Sequence, residues 1–253
     1  MNKISLIGWT EFKRLFNSPL AWSILAILQF ILALMFLLLL DGFIAGIQTE
    51  GVGKELSLGV TDVIASRIYL WAGVIMLIVI PILTMRSFAE ERMNNTLPLL
   101  ISSPLSFTQL VLGKYLSLLL LIVLVVIMVS LMPLSLALGT SLDYGRIASS
   151  ALGLFLLLSS FTAVGLYISS LTSQPIIAAV STFGVLLLLV VFYISGTSST
   201  SASELFIYLS HISHFFSFTD GVLNSSDIIY YLLFSLLFLV LTIRRLDNQR
   251  LGA

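Results

Sequence analysis

Six long apolar runs constrain the fold more than any other feature of this sequence. A helix that crosses a bilayer needs about 20 apolar residues, and runs of roughly that length occupy 20–40, 68–85, 110–138, 147–171, 176–195 and 228–243. The runs are continuous and lack the alternation of a lipid-facing barrel strand. The sequence therefore predicts an all-α integral membrane protein in which residues 1–253 form a single transmembrane domain with six spans.

Composition excludes several other classes of protein. Charged residues make up 9% of the chain and the mean hydropathy is +1.12, whereas about a quarter of the residues in a soluble domain are charged. The chain has no cysteine, which excludes disulfides and thiolate metal sites. Its formal net charge is zero, so the charge balance does not indicate nucleic-acid binding.

The lysine and arginine residues predict which side of the membrane each segment faces. Nine of the 12 fall in segments on the side of the two termini, and three fall on the other side. The nine are Lys3, Lys13, Arg14, Arg86, Arg92, Lys114, Arg244, Arg245 and Arg250, and the three are Lys54, Arg67 and Arg146. Because basic residues favour the cytoplasmic side, we expect both termini and the 86–106 segment to be cytoplasmic.

Residues 4–17, which precede the first span, form an amphipathic pattern at 100° per residue. One arc carries Ile4, Trp9, Phe12, Leu15 and Phe16, and the opposite arc carries Thr10, Glu11, Lys13, Arg14 and Asn17, while Leu6 and Ile7 break the pattern. Such a pattern predicts a helix that lies in the membrane interface. Two interpretations stay open: the helix only orients the first span, or it also frames a docking surface for a cytoplasmic partner.

The 86–106 segment carries its charges first and its apolar residues last. Glu90, Glu91 and Arg92 come before Leu99, Leu100 and Ile101. A solvated loop accounts for the charges, but it does not account for apolar residues outside the membrane. We therefore expect a short helix and a turn that dock a protein. Ser106 then begins S-F-T-Q, a capping box that predicts the start of the third span.

The segment at 203–218 is aromatic-rich but too short and too polar to span the bilayer, so it predicts a re-entrant or interfacial helix on the outer side. His211 and His214 stand three residues apart and share a helix face. Histidine pairs bind Zn²⁺ or Cu²⁺, but a third ligand is needed and only Glu204 or Asp220 is near in sequence. Packing of the rings is the favoured interpretation, and the two histidines stay weak metal candidates.

No catalytic constellation appears in the sequence, and it contains no G-x-x-x-x-G-K-[ST] phosphate-binding loop. The spans contain almost no ionisable residues. Lys114, in the first turn of the third span, is expected to reach back to the cytoplasmic surface. Ion-coupled carriers usually need charges near the middle of the membrane, so we expect an external energy source.

Three stretches, taken with the six spans and the N-terminal helix, resemble a known family. They are NTLPLLISSPLSFTQLVLGK, GLYISSLTSQPIIAAV and YLSHISHFFSFTDGVLNSSDIIYYLLF. Over essentially the whole chain the sequence resembles ABC transporter permeases of the type-2 exporter class, and most of all the gliding-motility-associated group. One position departs from the pattern, because Pro98 stands where the family usually has an acidic residue. A proline there shortens or restarts the helix.

The resemblance implies a permease that is not itself an enzyme, in a bacterial inner membrane. Two permease subunits, identical or related, pair around a central pathway, and two cytoplasmic ATPase subunits bind beneath them. ATP and Mg are held by the ATPase, and this chain binds no cofactor. The 86–106 segment becomes the coupling segment, and the outer segment shapes the exit gate. The coupling residues are Glu90, Glu91, Arg92, Thr96, Leu99, Leu100 and Ile101, and the gate residues are Tyr208, His211, His214, Phe215 and Asp227.

Two alternatives to export stay open at this point. In the first, the ABC machinery transmits motion to a periplasmic or other accessory partner without moving a substrate. In the second, the chain is a channel or scaffold that works without an ATPase. The 86–106 segment and the lack of pore-lining charges favour an ATPase-coupled permease over this second alternative.

Overall fold

The computed structural model describes residues 3–50, 59, 61–96, 106–196 and 208–251, and the regular structure in these ranges is helical. Eight α-helices follow one another along them, and a π-helical turn, Thr61–Ala65, leads into the third. The helices are α1 Lys3–Asn17, α2 Pro19–Glu50, α3 Ser66–Met93, α4 Phe107–Ser135, α5 Tyr144–Leu171, α6 Pro175–Gly196, α7 His211–Thr219 and α8 Ser225–Leu251.

Six of these helices are long and apolar enough to cross a membrane, which confirms the six predicted spans. They are α2, α3, α4, α5, α6 and α8. An even number of crossings puts the two ends of the chain on the same side. We call this side, with α1 and the end of α8, the terminal face. The other side carries the π-helical turn, α7 and the residues that join α4 to α5, and we call it the opposite face.

Helix α5 lies at the centre of the bundle and is the most buried of the six spans. It packs against α3, α4, α6, α7 and α8. Its sequence is rich in serine, glycine and alanine, which allow helices to approach closely in a membrane. Gly165 shows this, because a Cβ atom there would overlap the side chain of Thr84 on α3. The apolar faces of α2, α6 and α8 are largely exposed and are open to lipid or to another subunit.

Helix α3 continues beyond the predicted end of its span, which corrects one expectation. Residues 86–93 extend α3 without a break and do not form a separate short helix. No helix-breaking residue occurs until the pair Asn94 and Asn95. Asn95 has φ +55°, a left-handed conformation that asparagine tolerates. The amides of Asn95 and Thr96 donate to the carbonyls of Arg92 and Glu91, which is the Schellman pattern of helix termination.

The predicted start of α4 is confirmed, and α6 begins one residue before the predicted start of the fifth span. At the start of α4, the Gln109 amide donates to Ser106 Oγ at 3.3 Å, and the Ser106 amide donates to Gln109 Oε1 at 3.4 Å, so the capping box is complete. Helix α6 begins at Pro175, a first-turn position at which proline leaves no helix hydrogen bond unmade. The remaining part of the coupling segment, 97–105, lies outside the described residues, as do 203–207 of the outer segment.

Helix α1 packs along α4 through the residues that break its amphipathic pattern. Gly8 is buried against α4, and a Cβ atom at Gly113 would come 2.5 Å from Ile7. The predicted aromatic arc faces elsewhere and forms a row from Trp9 through Phe12 to the start of α2. The helix therefore has an additional contact face that a two-sided pattern does not predict.

Candidate functional sites

Four charged side chains meet where α1, α3 and α4 converge at the terminal face. Lys114 Nζ donates to Glu91 Oε1 at 2.5 Å and to Glu11 Oε1 at 3.1 Å. Arg14 Nη1 lies 3.7 Å from Glu11 and 3.8 Å from Glu91. We call these four residues the terminal charge cluster. It joins the N-terminal helix, the end of α3 and the start of α4 in one ionic network.

The terminal charge cluster has a buried centre. Lys114 is 3% exposed and Glu91 is 4% exposed, and Lys114 Nζ also lies 5.3 Å from the centre of the Phe88 ring. The expectation that Lys114 reaches the surface is therefore wrong: two carboxylates hold its amine inside the protein. Burial of a charge costs free energy unless the charge is paired, and Lys114 and Glu91 pair with each other. The second carboxylate oxygen of Glu91, Oε2, has no hydrogen-bond partner among the described residues.

The predicted coupling residues at the end of α3 occupy different environments. Glu90 is partly exposed and lies 3.9 Å from Arg86, one helical turn earlier. Glu91 faces the interior and binds Lys114, whereas Thr96 is exposed and its hydroxyl donates to the Glu91 carbonyl at 3.1 Å. Arg92 is partly buried. The ATPase contacts of these residues stay predictions, as does docking through Leu99, Leu100 and Ile101, which lie outside the described residues.

The residues predicted on α1 divide between two surfaces. Glu11 and Arg14 take part in the terminal charge cluster. Trp9 is exposed, stacks on Phe12 with 5.8 Å between ring centroids, and lies under the Lys13 amine, which is 5.5 Å from its ring. The structure thus adds a third role for α1 to the two interpretations left open, because α1 supplies charges to the end of α3.

On the opposite face, side chains from several elements hold the C-terminal end of α7. Arg146 Nε and Ser66 Oγ donate to the Thr219 carbonyl at 2.8 and 3.1 Å, and Ser149 Oγ donates to the Phe218 carbonyl at 2.9 Å. Arg146 also forms an ion pair with Asp62 of the π-helical turn. Helix α7 ends in a turn, in which the Gly221 amide donates to the Phe218 carbonyl at 3.1 Å and the Val222 amide donates to the Ser217 carbonyl at 3.0 Å, so the side-chain bonds add to a helix end that its own backbone already closes. They fix α7 to α3 and α5.

Helix α7 is inserted into the bundle and does not lie on its surface. His211, Phe215 and Phe218 are buried, and a Cβ atom at Gly153 of α5 would come 2.5 Å from Phe218 Cβ. Nine residues rise only about 14 Å, so α7 does not cross the membrane. Of the two alternatives for the outer segment, the packing favours a re-entrant helix.

His214 and Asp227 form a buried polar pair between α7 and α8. His214 Nδ1 lies 2.6 Å from Asp227 Oδ1, and His214 Nε2 lies 2.9 Å from the carbonyl oxygen of Tyr208. A carbonyl only accepts, so Nε2 carries a proton. The pair then holds a second proton between Nδ1 and the carboxylate, because both of these atoms otherwise present lone pairs.

His211 is held in its neutral form by its surroundings. Burial is the main cause that lowers the pKa of His211, and the neighbouring His214 lowers it further, to about 3. The Tyr230 hydroxyl donates its proton to the Leu209 carbonyl at 2.8 Å, and the oxygen of this hydroxyl lies 3.0 Å from His211 Nδ1. Both histidines contact the Tyr230 ring, with centroids 5.2 and 4.1 Å away. This confirms that they share one helix face.

These contacts bear on the metal-binding alternative. Both nitrogens of His214 are engaged in hydrogen bonds, so metal binding would have to break at least one of them. Within the described ranges, no three histidine or acidic side chains are grouped so that they could hold a metal ion. What the histidine pair does in this arrangement is to anchor α7 to α8.

The comparisons with known proteins identify the family. A model of a family described as ABC-2 family transporter protein matches residues 46–244, which is 199 of the 253 residues. No curated protein gives a significant match to the chain. The matched range contains α3 to α7 in full and most of α8, with both the end of α3 and the re-entrant helix. The chain therefore belongs to the ABC-2 family of transporter proteins and is a multi-pass membrane permease subunit of an ABC transporter.

Proposed function

We propose that this permease is the membrane half of an ATP-driven exporter in a bacterial inner membrane, with its terminal face in the cytoplasm. Two permease subunits pair, and two cytoplasmic ATPase subunits, which hold ATP and Mg, bind beneath them. The excess of lysine and arginine on the terminal face supports this orientation. Within the family, the sequence motifs support placement near the gliding-motility-associated group.

The terminal charge cluster is the single observation that carries the proposed coupling. Glu91 belongs to the predicted coupling segment, yet its carboxylate binds Lys114 at 2.5 Å inside the bundle. A push on the end of α3 is therefore delivered to α4 and, through Glu11, to α1. The Glu91 carboxylate serves this internal transmission. Exposed neighbours on the coupling segment, with Leu99, Leu100 and Ile101, make the contacts with the ATPase.

An apolar cavity under α7 supports the proposal that the substrate is apolar or amphiphilic. Its volume is ≈ 420 Å³, and its walls come from α3, α5, α6 and α7. The aromatic side chains in its lining include Phe161, Phe183 and Phe216. Ligand sites of this size are typically lined by apolar and aromatic side chains. Because α7 closes one side of the cavity, movement of α7 would control release towards the opposite face.

A purification experiment tests the ATPase partnership and the docking residues together. The tagged chain is purified from native membranes in mild detergent, and a stoichiometric ATPase is expected with it. Leu99→Asp with Leu100→Asp should insert normally but lose the ATPase, since truncation of a buried anchor typically costs about 2 kcal/mol or more. Leu171→Asp, at an exposed apolar position of the terminal face, is the control and should retain it. Retention of the ATPase by the double variant would refute the docking assignment, and its absence from every wild-type preparation would refute the proposed function.

A fluorescence experiment tests whether movement at the end of α3 is transmitted to α7. The chain has no cysteine, so Val222→Cys, at an exposed position after α7, gives a single site for an environment-sensitive dye. We expect ATP to change the dye signal of the permease–ATPase complex, and Glu91→Gln to reduce that change while the ATPase stays bound. An ATP response without any movement of substrate would instead favour transmission to an accessory partner.

A further inference from the structure

A second feature of the terminal face is a half-open cavity of ≈ 140 Å³ between α1, the start of α2, α3 and α4. Charged side chains line one part of it: Glu11, Arg14, Arg86, Glu90 and Lys114. Apolar side chains line the other part: Leu15, Ala21, Leu83 and Leu118. A cavity of about 150 Å³ holds one benzene-sized molecule. The volume therefore suits a small polar group but is too small for a lipid chain.

Two guanidinium groups in this cavity keep unused donors. Arg14 lies 3.7 and 3.8 Å from its carboxylate neighbours, and Arg86 lies 3.9 Å from Glu90. These are ion pairs beyond normal hydrogen-bond length. Neither guanidinium donates a hydrogen bond to any residue in the described part of the chain. Arginine binds phosphate through paired N–H donors. A phosphate group in the cavity would therefore accept hydrogen bonds from the N–H donors of Arg14 and Arg86.

The charge balance of the cavity selects among phosphate compounds. Its cations are Arg14, Arg86 and Lys114, and its carboxylates are Glu11, Glu90 and, directly behind Lys114, Glu91. Three positive and three negative charges favour a ligand of zero net charge, because an anion would leave unbalanced charge in a partly buried site. The partly exposed carboxylates of Glu11 and Glu90 accept hydrogen bonds, and a primary ammonium group donates them.

An apolar groove begins further along α2 and α4, two of the helices that line the cavity. It has a volume of ≈ 590 Å³ and runs between α2 and α4, with Trp22, Phe30, Ala33 and Met128 in its lining. Along α2 the polar cavity reaches Ala21 and the groove starts at Trp22; along α4 the cavity reaches Leu118 and the groove starts at Leu124. The six residues from Leu118 to Leu124 span about 9 Å. Polar and apolar sites thus follow one another in the order of a lipid headgroup and its chain.

We propose that the cavity and the groove together bind one phospholipid with a phosphoethanolamine headgroup, from the leaflet on the terminal face. Arg14 and Arg86 hold the phosphate, Glu11 and Glu90 accept from the ammonium group, and an acyl chain lies in the groove along α2 and α4. The lipid connects α1 and α2 to the end of α3. It is a bound component of the permease and is separate from the cavity under α7.

Trp22 reports directly on the groove, so quenching by brominated lipids tests the proposal. Trp9→Phe with Trp71→Phe leaves Trp22 as the single tryptophan. This protein is reconstituted with phosphatidylethanolamine, phosphatidylcholine or phosphatidylglycerol that carries bromine on the acyl chains. We expect half-maximal quenching at a clearly lower mole fraction of the ethanolamine lipid than of the other two. Soluble glycerophosphoethanolamine should compete only weakly, since it lacks the chain that fills the groove.

Variants separate the two parts of the site. Arg86→Gln with Glu90→Gln should weaken the preference for the ethanolamine lipid about tenfold, as expected for lost hydrogen bonds to charged groups. Both side chains are partly exposed, so the fold should survive. Ala33→Phe should fill the groove and lower quenching by all three lipids. The control for charge is Arg244→Gln, exposed elsewhere on the terminal face, and the control for size is Leu38→Phe on the exposed face of α2.

Three results would overturn the proposal. Equal quenching by the three lipids would remove the headgroup assignment, and stronger quenching by phosphatidylglycerol would show that the site selects an anion. An unchanged preference in Arg86→Gln with Glu90→Gln would show that the charged cavity is not the headgroup site. Native mass spectrometry of the delipidated protein supplies an independent count, with one ethanolamine lipid retained per wild-type chain and loss of that lipid in the double variant.

Discussion

Replacement of Lys114 by methionine tests the terminal charge cluster most directly. The substitution keeps the length and the apolar stem of the side chain but removes the amine that binds Glu91 at 2.5 Å and Glu11 at 3.1 Å. Glu11 is partly exposed and can be solvated, whereas Glu91 is 4% exposed. The loss of stability should therefore come mainly from Glu91, whose buried carboxylate loses its nearest positive charge.

The structure sets the size of the effect. Removal of one partner from a buried ion pair typically costs about 3–5 kcal/mol. Arg14 remains 3.8 Å from Glu91, so we expect the lower end, about 3 kcal/mol. For a chain of this size each kcal/mol corresponds to about 2–4 °C, which predicts a fall in Tm of roughly 6–12 °C. The matched control is Lys13→Met, because Lys13 is exposed on α1 and contacts the Trp9 ring, so its loss should cost less than about 1 kcal/mol.

Thermal unfolding of the purified protein in detergent measures these differences, and a double-mutant cycle isolates the pair. Lys114→Met with Glu91→Met removes both charges and should be more stable than Lys114→Met alone, because no unpaired charge stays buried. If the destabilisation of the double variant equals the sum of the two single effects, the two groups do not interact. The reasoning about the cluster would then be refuted.

Three further predictions concern packing, the polar pair and pH. Gly165→Ala should lower stability by about 1–3 kcal/mol through overpacking against α3, whereas Gly184→Ala, with open space around it, should have little effect; thermal unfolding compares the two. Asp227→Asn removes the charge that faces His214 Nδ1 at 2.6 Å and should cost about 1.5–3 kcal/mol, measured in the same assay; no loss would show that the pair is not charge-assisted. The pKa of His211 is lowered to about 3 in the folded protein, whereas a histidine in the unfolded chain has a pKa of about 6.5. Between these two pH values the unfolded chain binds a proton that the folded chain does not bind. The free energy of unfolding should therefore fall as the pH falls from about 6.5 towards 3. At pH 5 the loss is about 2 kcal/mol, and His211→Phe should show a smaller decline between pH 7 and 5, so an equal decline would contradict the assignment.

The spans were predictable because each depends on a local property of the sequence. An apolar run of sufficient length has to form a helix in a membrane, and Ser106 and Pro175 mark helix starts through contacts within one turn. The end of α3 could also have been predicted from the sequence. The only signal of it is the pair Asn94 and Asn95, and the charges at Arg86 and Glu90 drew the predicted boundary too early.

The contents of the sites were less predictable because they depend on pairs that lie far apart in sequence. Lys114 meets Glu91 across 23 positions and Glu11 across 103. A lysine in an apolar run at a span end is compatible with both snorkelling and pairing, so the sequence alone did not decide between them. Arg146 likewise finds its partners on the π-helical turn and after α7. The one available signal was that each of these charges interrupts an otherwise apolar or small-residue segment.

Helix α3 is attached at both of its ends. Its 28 residues rise about 42 Å, and Ser66 at one end binds the carbonyl of Thr219, while Glu91 at the other binds Lys114. These attachments have a rotational phase as well as a separation, because each added residue turns a helix by 100°. One residue inserted between them would lengthen α3 by only about 1.5 Å, yet it would point Glu91 away from Lys114 whenever Ser66 kept its own bond. The number of residues in this helix is therefore fixed by angle more strictly than by the thickness of the membrane it crosses.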